Sequence, residues 1–243
     1  MSGLFERTHI LVGDEGIECL KNARVVIAGM GGVGSFVAEG LARAGIGFIK
    51  LVDHDVVSVS NLNRQLIALE STVGKNKAAV MAERIRDINP YCEVEVCAEF
   101  LRADDMADFF SEPFDFVVDA IDSLSCKVAY VRTAHEKGYP VVSSMGAGNK
   151  IDPTQIKVAD IFDTSVCKLA RFMRVRLRRQ GVKKGILAVY STEPSSPPLP
   201  PEPVSGLGRD RAVNGTISYM PALFGLTLSG LVIKKLIAPY VKK

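Results

Sequence analysis

The chain has 243 residues, 47% of them hydrophobic, and a formal charge of +3. That is enough for a substantial core in one large α/β domain or two small ones, and too near neutrality for nucleic-acid binding to follow from overall charge. Five scattered cysteines (Cys19, Cys92, Cys97, Cys126, Cys167) contain no C-x-x-C pair, which excludes the usual zinc knuckle, and their odd number does not resemble a disulfide framework.

The opening stretch MSGLFERTHILVGDEG meets charges at once and has no apolar signal core, so a cytoplasmic location is expected. Residues 4–22 read as a helical lead-in with Leu4, Ile10, Leu11, Ile17 and Leu20 available for packing. ARVVIAG is a continuous apolar run, as in a strand buried on both faces. The glycine-rich GMGGVG follows, and SFVAEGLARAG reads as a helix stopped by Gly45. FIKLVDHD is the second strand. NKAAVMAERIRDIN is an amphipathic helix with Ala79, Met81, Ala82, Ile85 and Ile88 along one side and Asn89-Pro90 ending it.

EVEVCAE is a third strand, ADDMADFF a short helix, and FDFVVDAID a fourth buried strand ending in carboxylates. CKVAYVRTAHEKG is another helix and PVVSSMGAG a strand running into a loop. This alternation predicts an α/β fold, a Rossmann-like, doubly wound, mainly parallel sheet, within a single domain over 1–243. Ligands of such sheets sit beyond the carboxyl ends of the strands. Gly29–Gly34, Asp53/Asp55 and Asp119/Asp122 fall there.

SVCKLARFMRVRLRRQGVKKG reads as a basic amphipathic helix, with Val166, Leu169, Ala170, Met173 and Leu177 as its apolar side and Lys168, Arg171, Arg174 and Arg178 along another. STEPSSPPLPPEPVSG predicts an extended, mobile loop at about 194–206, unable to form sheet or helix. The uncharged segment 215–233, GTISYMPALFGLTLSGLVI, is at the edge of transmembrane length. Pro221 and its small residues favour a buried strand-and-helix element, with peripheral membrane contact as the alternative.

The loop matches G-x-G-x-x-G through Gly29, Gly31, Gly32 and Gly34. Glycines let backbone N–H groups approach phosphate oxygens, and the following helix N-terminus adds partial positive charge. Asp53 lies about nineteen residues past Gly34, where a ribose-binding carboxylate belongs. Up to this point NAD and any other ribonucleotide are served equally. DHDVVSVSNLNRQ then brings Asp53, Asp55, Asn61, Asn63, Arg64 and Gln65 directly after the second strand, and GKNKA adds Lys75 and Lys77. Such cations suit a triphosphate, which the diphosphate bridge of a dehydrogenase cofactor does not require. Singly, each also reads as a solvated helix start. In DAIDS no arginine is adjacent to pair Asp119 and Asp122; Asp122 can offer oxygen to magnesium or cap the next helix, with Asp119 in support.

Together, GMGGVGS, LVDHDVVSVSNLNRQ, GKNKA and DAIDS resemble the nucleotide-binding motifs of the ubiquitin-activating superfamily, which includes ThiF and MoeB. The resemblance implies an adenylation fold completed by the C-terminal segment. It implies ATP with magnesium, optionally a monovalent cation, and adenylation of a carboxylate with release of pyrophosphate. At matching positions it implies ribose binding by Asp53, further nucleotide contacts by Asp55 and Gln65, phosphate contacts by Asn61, Arg64 and Lys77, and magnesium at Asp122. In FERTHILVG, Arg7 matches an arginine that reaches the partner subunit's ATP in a homodimer. No general base is needed, because the attacking carboxylate is ionised at pH 7, so the scarcity of histidine (His9, His54, His135) is no obstacle.

ThiF- and MoeB-type members commonly carry two zinc-binding C-x-x-C pairs, so no zinc is expected here. The order VVSSMGAGNKIDPTQIKVADI, LARFMRVRLRRQG, VYSTEP and GTISYMPALFGLTLSGLVIKKL resembles instead the tRNA threonylcarbamoyladenosine dehydratases, over nearly the whole chain. That resemblance implies activation of the threonylcarbamoyl carboxylate on an adenosine beside the anticodon, then ring closure with expulsion of AMP. It implies tRNA rather than DNA as partner, a tRNA-facing stripe of Lys168, Arg171, Arg174 and Arg178, and a cysteine-desulfurase or sulfur-acceptor system nearby. GILAVYSTEP lacks the cysteine that some members place before STE, which argues against a thioester role, and Cys126 and Cys167 read as packing residues. The competing function is adenylation of the C-terminus of a ubiquitin-like sulfur carrier. An NAD-dependent dehydrogenase is disfavoured by Arg64, Lys77 and Asp122 together.

Overall fold

A computed structural model describes residues 3–195, 199–202 and 211–241. In chain order its main strands are β1 (Arg24–Ala28), β2 (Phe48–Val52), β3 (Glu93–Cys97), β4 (Phe116–Asp119), β5 (Val141–Ser144), β6 (Ile156–Asp160) and β7 (Ile186–Ser191). They form a seven-stranded sheet in the order β3-β2-β1-β4-β5-β7-β6. Every pairing is parallel except that of β6, which returns antiparallel to β7 with Val158 opposite Val189. The expected doubly wound, mainly parallel sheet is therefore present. Helices cover both of its faces, which is why β1 and β2 are unbroken apolar runs.

Helices α1 (Glu6–Asn22), α2 (Gly34–Ala44) and α3 (Lys77–Ile88) lie with the C-terminal α7 (Tyr219–Ile237) on one face, around Ile27, Leu41, Ile49, Met81 and Phe224. Helices α4 (Met106–Phe109), α5 (Leu124–Glu136) and α6 (Lys168–Arg179) close the other, around Val26, Phe110, Val117, Tyr130 and Leu177.

Four local readings are corrected. Helix α1 is broken at Gly13, whose φ of 69° is left-handed, so Ile17 and Leu20 are buried while Leu4, Ile10 and Leu11 stay exposed. On α3 the inward strip is Ala78, Met81, Ala82 and Ile85, set by a start at Lys77 under the Asn76 cap, and Ala79 lies to its side. The 215–233 segment contains one helix and no strand. Its buried line, Met220, Phe224, Leu228 and Val232, recurs every fourth residue and packs chiefly against α2, where Gly40 faces Ser229 and Gly225 faces Val33. By length and composition this helix could cross a membrane, but here its apolar strip is a core face.

The loop expected at about 194–206 lies partly outside the described residues. Within it, β8 (Leu199–Glu202) pairs antiparallel with β9 (Arg211–Val213), contrary to the expectation that no sheet could form. A two-stranded ribbon consists of edges only, where the missing N–H of proline is tolerated.

Candidate active site

The carboxyl ends of β1, β2 and β4 and the loop after β5 converge on an open cleft of about 320 Å³. It lies where successive connections leave the sheet in opposite directions, the place where open α/β sheets bind ligands. Gly29, Gly31, Gly32, Asp53, Asp55, Arg64, Gln65, Lys77 and Asp122 all line it.

The glycine loop leaves β1 through Gly29, at a φ of 93°, where a side chain would run into the carbonyl of Ala120. Gly34, expected to meet nucleotide, lies behind the cleft: a side chain there would overlap the carbonyl of Gly29, so it permits the helix to start tight against the strand. Asn61 is also placed otherwise than expected. It is buried, and its Oδ1 accepts from Ser58 N–H at 3.2 Å, which shapes the loop that carries Arg64 and Gln65.

Asp53 accepts from Met30 N–H at 2.6 Å and from Asp55 N–H at 2.8 Å, so it ties the glycine loop to the second strand's exit. Burial raises its carboxyl above the ordinary value, opposed by those two N–H donors and by Lys77. Lys77, itself buried, holds its ammonium 2.9 Å from Asp55 Oδ2. Arg64 is braced through Nη1 by Ser60 O at 2.7 Å and Asn63 Oδ1 at 2.8 Å. Among the described residues, Gln65 Oε1 is buried with no hydrogen-bond partner, an acceptor that a ligand donor would satisfy. Two fixed cations beside a glycine loop are an arrangement that can stabilise a polyphosphate and the charge that builds as it departs.

On the opposite wall, Asp119 is paired where no partner was expected. It is fully buried against Lys127 Nζ at 2.7 Å, with Ser143 Oγ donating at 2.5 Å, so it is a structural charge beneath the cleft that supports Asp122. The pairing cation is a lysine eight residues on, in α5, hence invisible to a search for a neighbouring arginine. Asp122, at the cleft surface, has the hard oxygen donors that magnesium takes. Asp53, His54 and Asp55 also bring potential metal-ligand atoms within 4.8 Å of one another, but Asp53 is committed to backbone N–H groups and Asp55 to Lys77. Burial, with Asp119 and Asp122 adding to it, pushes the Cys126 thiol up to about 11, so it is an inert wall residue as expected. Glu99, Phe100, Leu101, Thr216 and Pro221 complete the cleft and were not expected there. Only the tertiary fold brings these segments to the glycine loop.

Arg7 is exposed and lies outside the cleft of its own chain. On α6, Lys168, Arg171 and Arg178 are exposed, the last with its guanidinium 5.3 Å from the ring centre of Phe162. Arg174 is corrected: it is half-buried and donates to Thr164 O at 2.9 Å, fastening the preceding loop. Val166 leaves the expected apolar side because its φ of 61° turns it outward, where it is exposed.

The model of the ThiF family matches residues 5–242. A Bacillus subtilis relative named tRNA threonylcarbamoyladenosine dehydratase is 41% identical over 241 residues, covering 96% of this chain and 94% of its own. The crystal structure of E. coli tRNA N6-threonylcarbamoyladenosine dehydratase, TcdA, in complex with ATP is 39% identical and superposes with a TM-score of 0.86, covering 97% of this chain and 94% of that one. The same E. coli protein in complex with AMP gives a TM-score of 0.87 over the same shares at 40% identity. A Thermus thermophilus sulfur carrier protein adenylyltransferase is 38% identical over 57% of this chain and 51% of its own, so the competing function has only partial support.

Proposed function

The chain belongs to the ThiF family, and on that premise we infer that it carries out the ATP-dependent dehydration of threonylcarbamoyladenosine in tRNA. The observation that carries this reading is the cleft, in which Arg64, Lys77 and Asp122 join a glycine loop whose motif alone would serve any ribonucleotide. The full-length similarity to dehydratases, with ATP and AMP bound to the E. coli protein, supports the same chemistry.

In this reading the glycine loop receives the triphosphate, Asp53 receives the ribose, and Arg64 and Lys77 draw negative charge from the reacting phosphates. The substrate carboxylate attacks the α-phosphorus, a carboxyl oxygen–phosphorus bond forms, and pyrophosphate leaves. A neighbouring atom of the same threonylcarbamoyl group then attacks the activated carbonyl, closing a ring, expelling AMP and releasing the proton of the cyclising group to solvent. The net change in the nucleoside is loss of one water. Asp122 is the residue that would hold magnesium, which when bound neutralises phosphate charge. Positioning and fixed cations supply the rate enhancement, because two anions must be held together.

Residues outside the cleft complete the proposal. The exposed Arg7, with Ile10 and Leu11 exposed on the same short helical arm, supports a homodimer in which Arg7 reaches the partner's ATP. Lys168, Arg171 and Arg178 support a tRNA-facing side on α6. Five unpaired cysteines support a cytoplasmic location. A cysteine-desulfurase or sulfur-acceptor partner rests on family resemblance alone.

The test is mass spectrometry of nucleosides from threonylcarbamoylated tRNA incubated with the protein and ATP. A modified nucleoside lighter by one water is expected. An unchanged nucleoside, together with pyrophosphate exchange stimulated by a sulfur carrier ending in Gly-Gly, would overturn the reading.

A further inference from the structure

The nucleotide cleft shares a wall with a second, basic cleft. Cys126, in the first turn of α5, lines the first, while its neighbour Ser125 lines a second of about 460 Å³. The same division holds across the loop after β3, where Glu99–Leu101 face the nucleotide cleft and Ala103 and Asp104 face the second. The rest of the second cleft comes from α5 and α6, which present Arg132, Arg176, Arg179 and Gln180.

Three arginines line it with one aspartate, and with Glu136 paired to Arg132 the cleft keeps a cationic excess carried by Arg176 and Arg179. Arg176 Nη1 donates to Ser125 Oγ at 3.3 Å, which aims its guanidinium across the cleft floor. Arg132 is ion-paired to Glu136, Nε to Oε2 at 3.5 Å, and that buried Nε makes no hydrogen bond among the described residues. Arg132 lines the cleft with Arg176 and Arg179, and guanidinium groups gathered at one concavity suit the oxygens of an anion.

The ligand class follows from what stands beside the arginines. Phe172, Val175, Arg176 and Arg179 are spaced as one helix face, and Phe172 and Val175 are 55% and 41% exposed. An outward-facing aromatic ring next to guanidinium groups is how single-stranded nucleic acid is gripped, by stacking and by backbone charge. On the tRNA reading of the nucleotide cleft, a strand delivering the reacting nucleoside can reach it along this shared wall.

We propose that the α5–α6 cleft binds a backbone phosphate of the tRNA strand carrying the reacting nucleoside, through Arg132, Arg176 and Arg179, with Phe172 as a stacking surface for an adjacent base. The proposal rests on the tRNA reading of the nucleotide cleft. It shifts the centre of the nucleic-acid surface from the flank of Arg171, Arg174 and Arg178 toward the flank that adjoins the chemistry.

The experiment compares the full-length protein with Arg176→Glu/Arg179→Glu, with Phe172→Ala, and with an equally charged control, Arg86→Glu/Lys235→Glu, on the opposite face of the sheet. Binding of threonylcarbamoylated tRNA is followed by fluorescence anisotropy over a salt series, alongside ATP titration and dehydration kinetics. For the double arginine variant, the tRNA Kd and KM should rise about tenfold, and the slope of log affinity against log salt should shrink by about 0.7 for each phosphate no longer neutralised. Its ATP affinity should be unchanged. Phe172→Ala should weaken tRNA binding about fivefold or more with an unchanged salt slope. Wild-type affinity and slope in both variants, or an equal loss in the control, would overturn the proposal. Failure of the wild-type protein to dehydrate the nucleoside would instead overturn the tRNA reading of the nucleotide cleft, and the tRNA assignment of this cleft with it.

Discussion

Lys127 Nζ sits 2.7 Å from Asp119 Oδ2, and neither side chain has any exposure to solvent. The same ammonium donates to Ile121 O at 3.1 Å, while Asp119 Oδ1 accepts from Ile121 N–H at 3.1 Å. One buried ion pair therefore clamps the turn from β4 into α5, and that turn presents Asp122 to the cleft.

Removing one partner should be worse than removing both. Lys127→Met leaves an uncompensated buried carboxylate and should cost about 3–5 kcal/mol. The double variant Lys127→Met/Asp119→Asn should recover much of that loss in urea unfolding. A double variant as unstable as Lys127→Met alone would show that packing, not charge, holds the turn.

Arg64, Lys77 and Asp122 should separate chemistry from folding. Asp55, the partner left by Lys77→Ala, is 54% exposed in its side chain and can be hydrated, so the variant should fold. ATP-dependent dehydration should fall about 10²–10³-fold in Lys77→Ala and in Arg64→Ala, the cost of losing a fixed charge at a developing anion. Asp122→Asn, which keeps the side-chain volume, should lose activity with an unchanged melting temperature. Single-turnover dehydration assays beside thermal unfolding would decide it.

Gly34, in the glycine loop, and Gly146, in the loop after β5, offer a contrast. Gly34→Ala places a methyl group against the carbonyl of Gly29 and should reach or exceed the upper end of the about 1–3 kcal/mol typical of overpacking. Gly146→Ala, where an added Cβ meets nothing within 4 Å, should change stability by less than about 0.5 kcal/mol. Equilibrium denaturation of the two variants gives the comparison directly.

Glu39 joins α2 to α3 by accepting from Arg84 Nε at 2.7 Å and Nη2 at 3.0 Å, and from Arg43 Nε at 2.8 Å. Burial alone would raise its carboxyl, but the hydrogen bonds from Arg84 and Arg43 outweigh this and hold it below the ordinary value. A depressed carboxyl stabilises the fold fully above its unfolded pKa, about 4.3, and that contribution is lost as pH falls through the lower folded value. Glu39→Gln should cost about 1–2 kcal/mol at pH 7, after solvent screening of the half-exposed arginines, and progressively less as pH falls below the unfolded value. Melting temperatures across that pH range would show the two curves converging in acid.

Much of the site was readable because its residues cluster at the ends of consecutive strands. Asp53, Asp55, Arg64, Gln65 and Lys77 fall within one strand-to-helix connection, so their meeting is local. Gly34 and Asn61 lie in the same run of motifs but serve the backbone, a distinction that depends on a carbonyl or amide a few ångströms away. Leu4, Ile10 and Leu11 looked like core residues because periodicity registers a helix face without registering what the face meets, and Gly13 sends that arm elsewhere.

The sequence by itself determined the alternation of buried strands and amphipathic helices, and the glycine and charged motifs at the strand ends. Both are properties of near neighbours, set by backbone conformation and by the period of apolar side chains. Only the tertiary structure decided which charges are spent inside the protein and which are left for ligands. Asp119 is neutralised by Lys127 and Arg174 is tied to Thr164, whereas Arg176 and Arg179 face a cleft between α5 and α6. A charge cannot be buried without a partner, and for these residues the partner is supplied by another segment of the folded chain.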